Sequence, residues 1–173
     1  MIPVELQVIG SALRAIAEEM GAVLVRSAFS ANIKERRDCS TALFDESGRM
    51  VTQAEHIPVH LGAMPEAVAA VRAFDPVPGE PWILNDPYSG GTHLPDLTIV
   101  TRTALGYAVT RAHHADVGGS EPGSLPPESR TLAEEGVVIP PTRLDEPSFE
   151  QLVALMRNPD ERRGDLRAQL AAH

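Results

Sequence analysis

Two polar clusters in the middle third of the chain hold the residue types that metal and proton chemistry require. The first is Asn85-Asp86-Pro87-Tyr88-Ser89-Gly90-Gly91-Thr92-His93-Leu94-Pro95-Asp96, set between the apolar runs Trp82-Ile83-Leu84 and Leu97-Thr98-Ile99-Val100. The second is His113-His114-Ala115-Asp116-Val117-Gly118-Gly119. Mixed imidazole and carboxylate donors suit zinc, manganese or iron(II), and the single cysteine, Cys39, leaves no thiolate cluster for a structural zinc finger. Across a tight loop, His93 and Asp96 can turn toward one ion. In an extended strand His114 and Asp116 project from one face and His113 from the other. That parity makes His114 the expected ligand and places His113 in the core or behind a ligand. The same side chains also serve as hydrogen-bonding ties between loops, and the pattern alone leaves both readings open.

Around these clusters, further residues carry two readings each. Asp86 before Pro87 is either a substrate contact or the head of an Asx-type turn. Gly90-Gly91 is either an anion-binding nest of backbone amides or simply a bend. The run Lys34-Glu35-Arg36-Arg37-Asp38-Cys39-Ser40 reads as a solvated linker. Its functional alternative puts Glu35 or Asp38 in a metal sphere, or Asp38 and Ser40 on substrate. Cys39 has no activating cation after it and reads as a small buried hydrophobe. Neither a phosphate-binding glycine loop nor a nucleophile elbow is present.

The elements that must position these residues follow from periodicity. Pro3 suits a first helical turn, and Leu6, Ile9, Leu13, Ile16, Met20 and Val23 then recur at spacings of three and four, predicting one long helix to about Ser27. Residues 41–52 read as a hairpin around Asp45-Glu46-Ser47-Gly48. His56-Ile57-Pro58-Val59-His60-Leu61-Gly62 is expected to be extended. Pro65 opens a short helix to Phe74, and a strand follows at Trp82. Leu97–Thr101 and Tyr107–Ala112 form a second hairpin. Residues 120–147, rich in Pro, Glu, Ser and Gly, predict a long surface loop. Ser148 with Gln151, and Asn158 with Pro159 and Glu161, mark two C-terminal helices.

The expected architecture is therefore α+β: a long N-terminal helix, antiparallel hairpins in a mixed or antiparallel sheet, and C-terminal helices. Residues 1–173 read as one incomplete domain, because the chain stops inside an amphipathic pattern, Gln169-Leu170-Ala171-Ala172-His173. Unmatched apolar faces are expected to associate with a partner or a further segment. A formal charge of −9 argues against nucleic acid as a ligand. The lone cysteine and the absence of a signal-peptide pattern or a long apolar run favour a cytoplasmic protein that does not enter membranes.

Taken together, these motifs resemble the N-terminal part of the hydantoinase B/oxoprolinase family. The similarity rests on Ser27-Ala28-Phe29-Ser30, Glu35 through Ser40, His56 through Gly62, Asn85 through Asp96, His113 through Gly119 and Arg157 through Asp165. Members include the B subunits of ATP-dependent N-methylhydantoinases, the C-terminal half of 5-oxoprolinases, and subunits of acetone and acetophenone carboxylases. The resemblance implies a chain longer than this one. It also implies a hydantoinase A/oxoprolinase-type partner that binds ATP and phosphorylates the carbonyl oxygen of a small-molecule substrate. Ring hydrolysis, or carboxylation of a ketone-derived enol phosphate, then proceeds near a divalent metal on the B-type chain. On this basis His93 and Asp96 are the leading expected ligands, followed by His114 and then His60. Asp116 and Glu35 are each a fourth ligand or a general base, and Asp38, Asp86, Gly90 and Gly91 are candidate substrate contacts. Opening of hydantoin or 5-oxoproline-type rings is the expected function. Ketone carboxylation, or a non-catalytic assembly fragment, are the alternatives.

Overall fold

A computed structural model describes residues 3–60 and 62–173. The fold is α+β. Helix α1 (Val4–Ser27) and the single turn α2 (Ala31–Lys34) lead into strands β1 (Cys39–Asp45) and β2 (Met50–Glu55). Helix α3 (Met64–Arg72) precedes strands β3 (Pro81–Leu84), β4 (Asp96–Arg102) and β5 (Gly106–His113). A helical turn α4 (Leu132–Glu135), a short strand β6 (Thr142–Arg143) and helices α5 (Glu146–Leu155) and α6 (Pro159–Ala171) complete the chain. The six strands form one sheet in the order β2-β1-β5-β4-β3-β6, and every neighbouring pair is antiparallel.

The sheet has two covered faces, because side chains alternate along each strand. On one face Ala42, Phe44, Trp82, Leu84, Val100, Tyr107 and Val109 pack against Met64, Ala67, Val68 and Val71 of α3. On the other face Cys39, Ala108 and Ala112 meet Met20 and Leu24 of α1 and Ala168 of α6. Beside them Ile83, Leu97 and Ile99 meet Phe149 and Val153 of α5 and Leu166 of α6. Helix α3 is short, so it covers only part of its face. The uncovered end is where the polar residues of β1, β4 and β5 gather.

Several expectations hold and some need correction. The N-terminal helix ends at Ser27, as its stripe predicts, yet its first turns bury nothing: residues 4–12 are exposed, with Leu6 59% and Ile9 57% accessible. Both hairpins form. The segment after His56 is not simply extended, since Pro58–His60 makes a 3-10 turn; Leu61, part of that reading, lies outside the described residues. The cap of α5 is Asp145 rather than Ser148: Asp145 accepts from the Ser148 amide at 3.0 Å, and the Ser148 hydroxyl, at the third helical position, accepts from the Asp145 amide at 2.9 Å to close the reciprocal box. Residues 120–147 are mostly loop, interrupted by α4 and β6. No helix among the described residues is long and apolar enough to cross a membrane.

Candidate metal centre

Register brings the site together. In the order β1-β5-β4, Asp96 of β4 stands opposite His113 of β5, and the His113 amide donates to the Asp38 carbonyl just before β1. Asp38, His113 and Asp96 thus form a row across three adjacent strand ends, on the face that α3 leaves open. His93 joins them through a tight turn in which the Asp96 amide donates to the His93 carbonyl at 2.9 Å. His60 reaches the same place from its 3-10 turn.

One donor atom from each of His93, Asp96 and His113 lies within 4.8 Å of the other two. The His113 Nδ1 is 2.9 Å from Asp96 Oδ1, and the His93 Nδ1 is 3.7 Å from that same oxygen. The other carboxylate oxygen, Oδ2, is 3.8 Å from His60 Nε2, which is also 3.8 Å from Asp38 Oδ1. His93 is 41% exposed whereas Asp96 is 8% exposed, so the cluster opens to solvent at His93 and is closed behind. Burial by itself would raise the Asp96 carboxyl; the imidazoles of His113 and His93 outweigh it and hold the group below the usual carboxylate range. His93 is raised by the Asp96 carboxylate beside it, against its partial burial. Burial lowers His60, with Asp96 opposing.

The loop carrying His93 is tied down by two buried polar residues. Arg111, fully buried, donates from Nε to Thr98 Oγ1 at 2.7 Å and from Nη1 to Thr92 Oγ1 at 3.1 Å. Asn85 is also buried. Its amide nitrogen donates to the carbonyls of Leu94 (2.7 Å) and Val137 (2.8 Å), and its oxygen accepts from the Ile139 amide (2.6 Å). Neither role was read from the sequence. Arg111 lies in a stretch that reads only as strand, and two of the three partners of Asn85 are more than fifty residues away.

Not all the expected residues arrive. His114 is not beside His93 and Asp96: it faces the opposite side of the sheet, fully buried, with Nε2 2.9 Å from Gln169 Oε1 of α6. Burial brings its pKa down to about 4, against the opposing charge of Asp165. The alternation of His113 and His114 is as expected, but the site lies on the His113 face. Asp116 is committed to its own loop, accepting from the amides of Gly118 (2.9 Å) and Gly123 (2.7 Å) and pairing with Arg157 at 3.2 Å. Glu35 is exposed at the end of α2 and has no place in the cluster. Asp86 heads a turn, accepting from the Tyr88 amide and the Ser89 hydroxyl. Gly90 and Gly91 are packing glycines: a Cβ at Gly91 would lie 2.0 Å from the Asn85 carbonyl oxygen, and the Gly91 amide already donates to Asp86. Cys39 is buried, which pushes its thiol up to about 12 and leaves it without nucleophilic character.

The geometry defines a class: an α+β protein with a preassembled His/Asp cluster, of a kind that could hold a cation, at the open end of an antiparallel sheet. Its sequence then places it plainly in the hydantoinase B/oxoprolinase family, whose description matches residues 2–173. A 5-oxoprolinase of Dictyostelium discoideum is 37% identical over 99% of this chain and 15% of its own length. The crystal structure of the ATP-dependent caprolactamase from Pseudomonas jessenii superposes with a TM-score of 0.90 at 30% identity, covering 99% of this chain and 32% of that one. An acetone carboxylase structure shares the fold, with a TM-score of 0.88 at 18% identity over 99% of this chain and 25% of that one. The chain spans between 11% and 34% of the length of the curated relatives it matches.

Proposed function

We propose that this chain supplies the metal-binding portion of an ATP-coupled cyclic amidohydrolase. In this reading His93, Asp96 and His113 hold a divalent cation, and Asp38 and His60 face the same position from β1 and the 3-10 turn. The observation that carries the reading is the convergence of three donor atoms within 4.8 Å of one another, from one loop and two strand ends. Two imidazoles and one or two carboxylates suit zinc, manganese or iron(II). A bound ion of that kind lowers the pKa of a water and stabilises negative charge on a carbonyl or phosphoryl oxygen. For its part the chain keeps Asp96 anionic, locks the His93 loop through Arg111 and Asn85, and leaves the exposed edge of His93 as the entrance.

ATP is assigned to a hydantoinase A/oxoprolinase-type partner, since a lactam carbonyl is a poor electrophile until its oxygen is converted into a leaving group. Relatives named as a 5-oxoprolinase and a caprolactamase β subunit, 37% and 30% identical, support a cyclic amide as substrate. The ketone carboxylase alternative has fold likeness alone behind it at 18% identity. Co-expression with the ATP-binding partner, followed by assay of hydantoin, 5-oxoproline and caprolactam, tests the reading. ATP-dependent ring opening that disappears in H113A is expected; opening by this chain without ATP or partner would contradict the coupled mechanism.

A further inference from the structure

His60 is 1% exposed, and its Nε2 has no hydrogen-bond partner although it is buried. At 3.8 Å from both Asp38 Oδ1 and Asp96 Oδ2 it is too far for a direct hydrogen bond, and the gap has room for one intervening atom. With Nε2 unprotonated, a lone pair aimed between two carboxylates is unfavourable unless that gap is filled. Yet the ring does not turn away. Its other nitrogen, Nδ1, is 3.0 Å from the hydroxyl of Ser40, a fully buried residue of β1. Ser40 stands opposite Arg111 in the sheet, on the same face as Asp38 and His113. It is the one hydrogen-bonding partner of the His60 ring among the described residues.

We propose that Ser40 is a positioning residue of the centre: its hydroxyl accepts the Nδ1–H of His60 and so fixes the ring with the Nε2 lone pair directed into the gap between Asp38 and Asp96. A group hydrogen-bonded to the far nitrogen of an imidazole sets which nitrogen is free for an ion or its water. The sequence presents Ser40 as a substrate contact or a linker residue. The structure gives its hydroxyl to His60 instead. The inference rests on the metal-centre reading above and adds a residue that touches neither ion nor substrate.

The test compares the wild type with S40A, S40T, H60Q and S40A/H60Q, using Zn²⁺ competition titrations and long-range ¹H–¹⁵N spectra of the imidazoles. H60Q identifies the His60 signals. The wild type is expected to show His60 in its Nδ1–H form. S40A should lose that single form and bind Zn²⁺ about 10–100-fold more weakly, the usual effect of removing a group behind a ligand. S40T should restore both, and the double variant should bind no worse than H60Q, since the two side chains act as one unit. Wild-type Zn²⁺ affinity in a folded S40A, an unchanged His60 tautomer, or additive losses in the double variant would overturn the proposal. Failure of the wild type to bind Zn²⁺ at all would remove the metal reading instead, and the tautomer comparison would still judge what Ser40 does.

Discussion

Asp96 carries the centre at the scale of single residues, because its two oxygens face different partners: His93 and His113 on one side, His60 on the other. Replacing Asp96 by Asn, or His93 or His113 by Ala, should weaken binding of Zn²⁺ or Mn²⁺ by more than the about 10–100-fold expected for a supporting residue, as calorimetric titration would measure. His114→Gln should leave metal affinity unchanged and alter acid stability. The His114 pKa is lowered in the fold to about 4, so between its unfolded value near 6.5 and that figure the unfolded chain binds the additional proton. Stability from the neutral, buried ring is therefore present above pH 6.5 and is lost as pH falls toward 4. Denaturation midpoints should decline across that window in the wild type and less steeply in H114Q, with Asp165 and Arg162 as the charged neighbours that modulate the slope. The opposite orientation of His113 and His114 was legible from strand alternation. Which of them faced the site was not. That depends on Asp96 standing opposite His113 in the β4–β5 register, a pairing that the hairpin fixes and local spacing does not reveal.

Elements position these residues through a few long-range ties. Asn85 closes the site loop onto the segment 137–139, and its removal strands the buried carbonyl of Leu94, the part-buried carbonyl of Val137 and the amide of Ile139. At about 1–3 kcal/mol for each unsatisfied group, Asn85→Ala should cost about 3 kcal/mol or more, read from urea unfolding. Gly91→Ala should fold poorly or lose metal binding, because its new methyl would collide with the Asn85 carbonyl oxygen rather than with a side chain that can move. Helices, hairpins and the prolines at helix starts were legible because their signals are local. The cap at Asp145 was misplaced by three residues, since Asp145 and Ser148 are both capping residue types and only the backbone decides which begins the helix. The 3-10 turn that delivers His60 was hidden for a similar reason: a residue before proline disfavours helix, but the turn begins at Pro58 itself.

For the molecule as a whole, a sheet covered on both faces leaves two surfaces unmatched. One is the polar end that holds the His/Asp cluster. The other is the apolar stripe of α1, where Leu6, Ile9 and Ile16 remain exposed beside Val51 and Leu105. The stripe was legible as a helix signal, but its burial was not, because that depends on what packs against it. Ile9→Glu with Ile16→Glu should change unfolding stability by no more than about 0.5 kcal/mol, typical of surface positions, while reducing self-association in light scattering. The order β2-β1-β5-β4-β3-β6 places the ends of β1, β4 and β5 side by side, so residues 38, 96 and 113 meet only in the complete sheet. The proposed cation site therefore draws on groups that only the folded sheet brings together. Titration of metal-stripped protein with Mn²⁺ or Zn²⁺, in parallel for the wild type, H113A and H114A, tests it most directly. Saturable binding by the wild type and H114A, lost in H113A, is the predicted result; loss in H114A with retention in H113A, or no binding by the folded wild type, would contradict it.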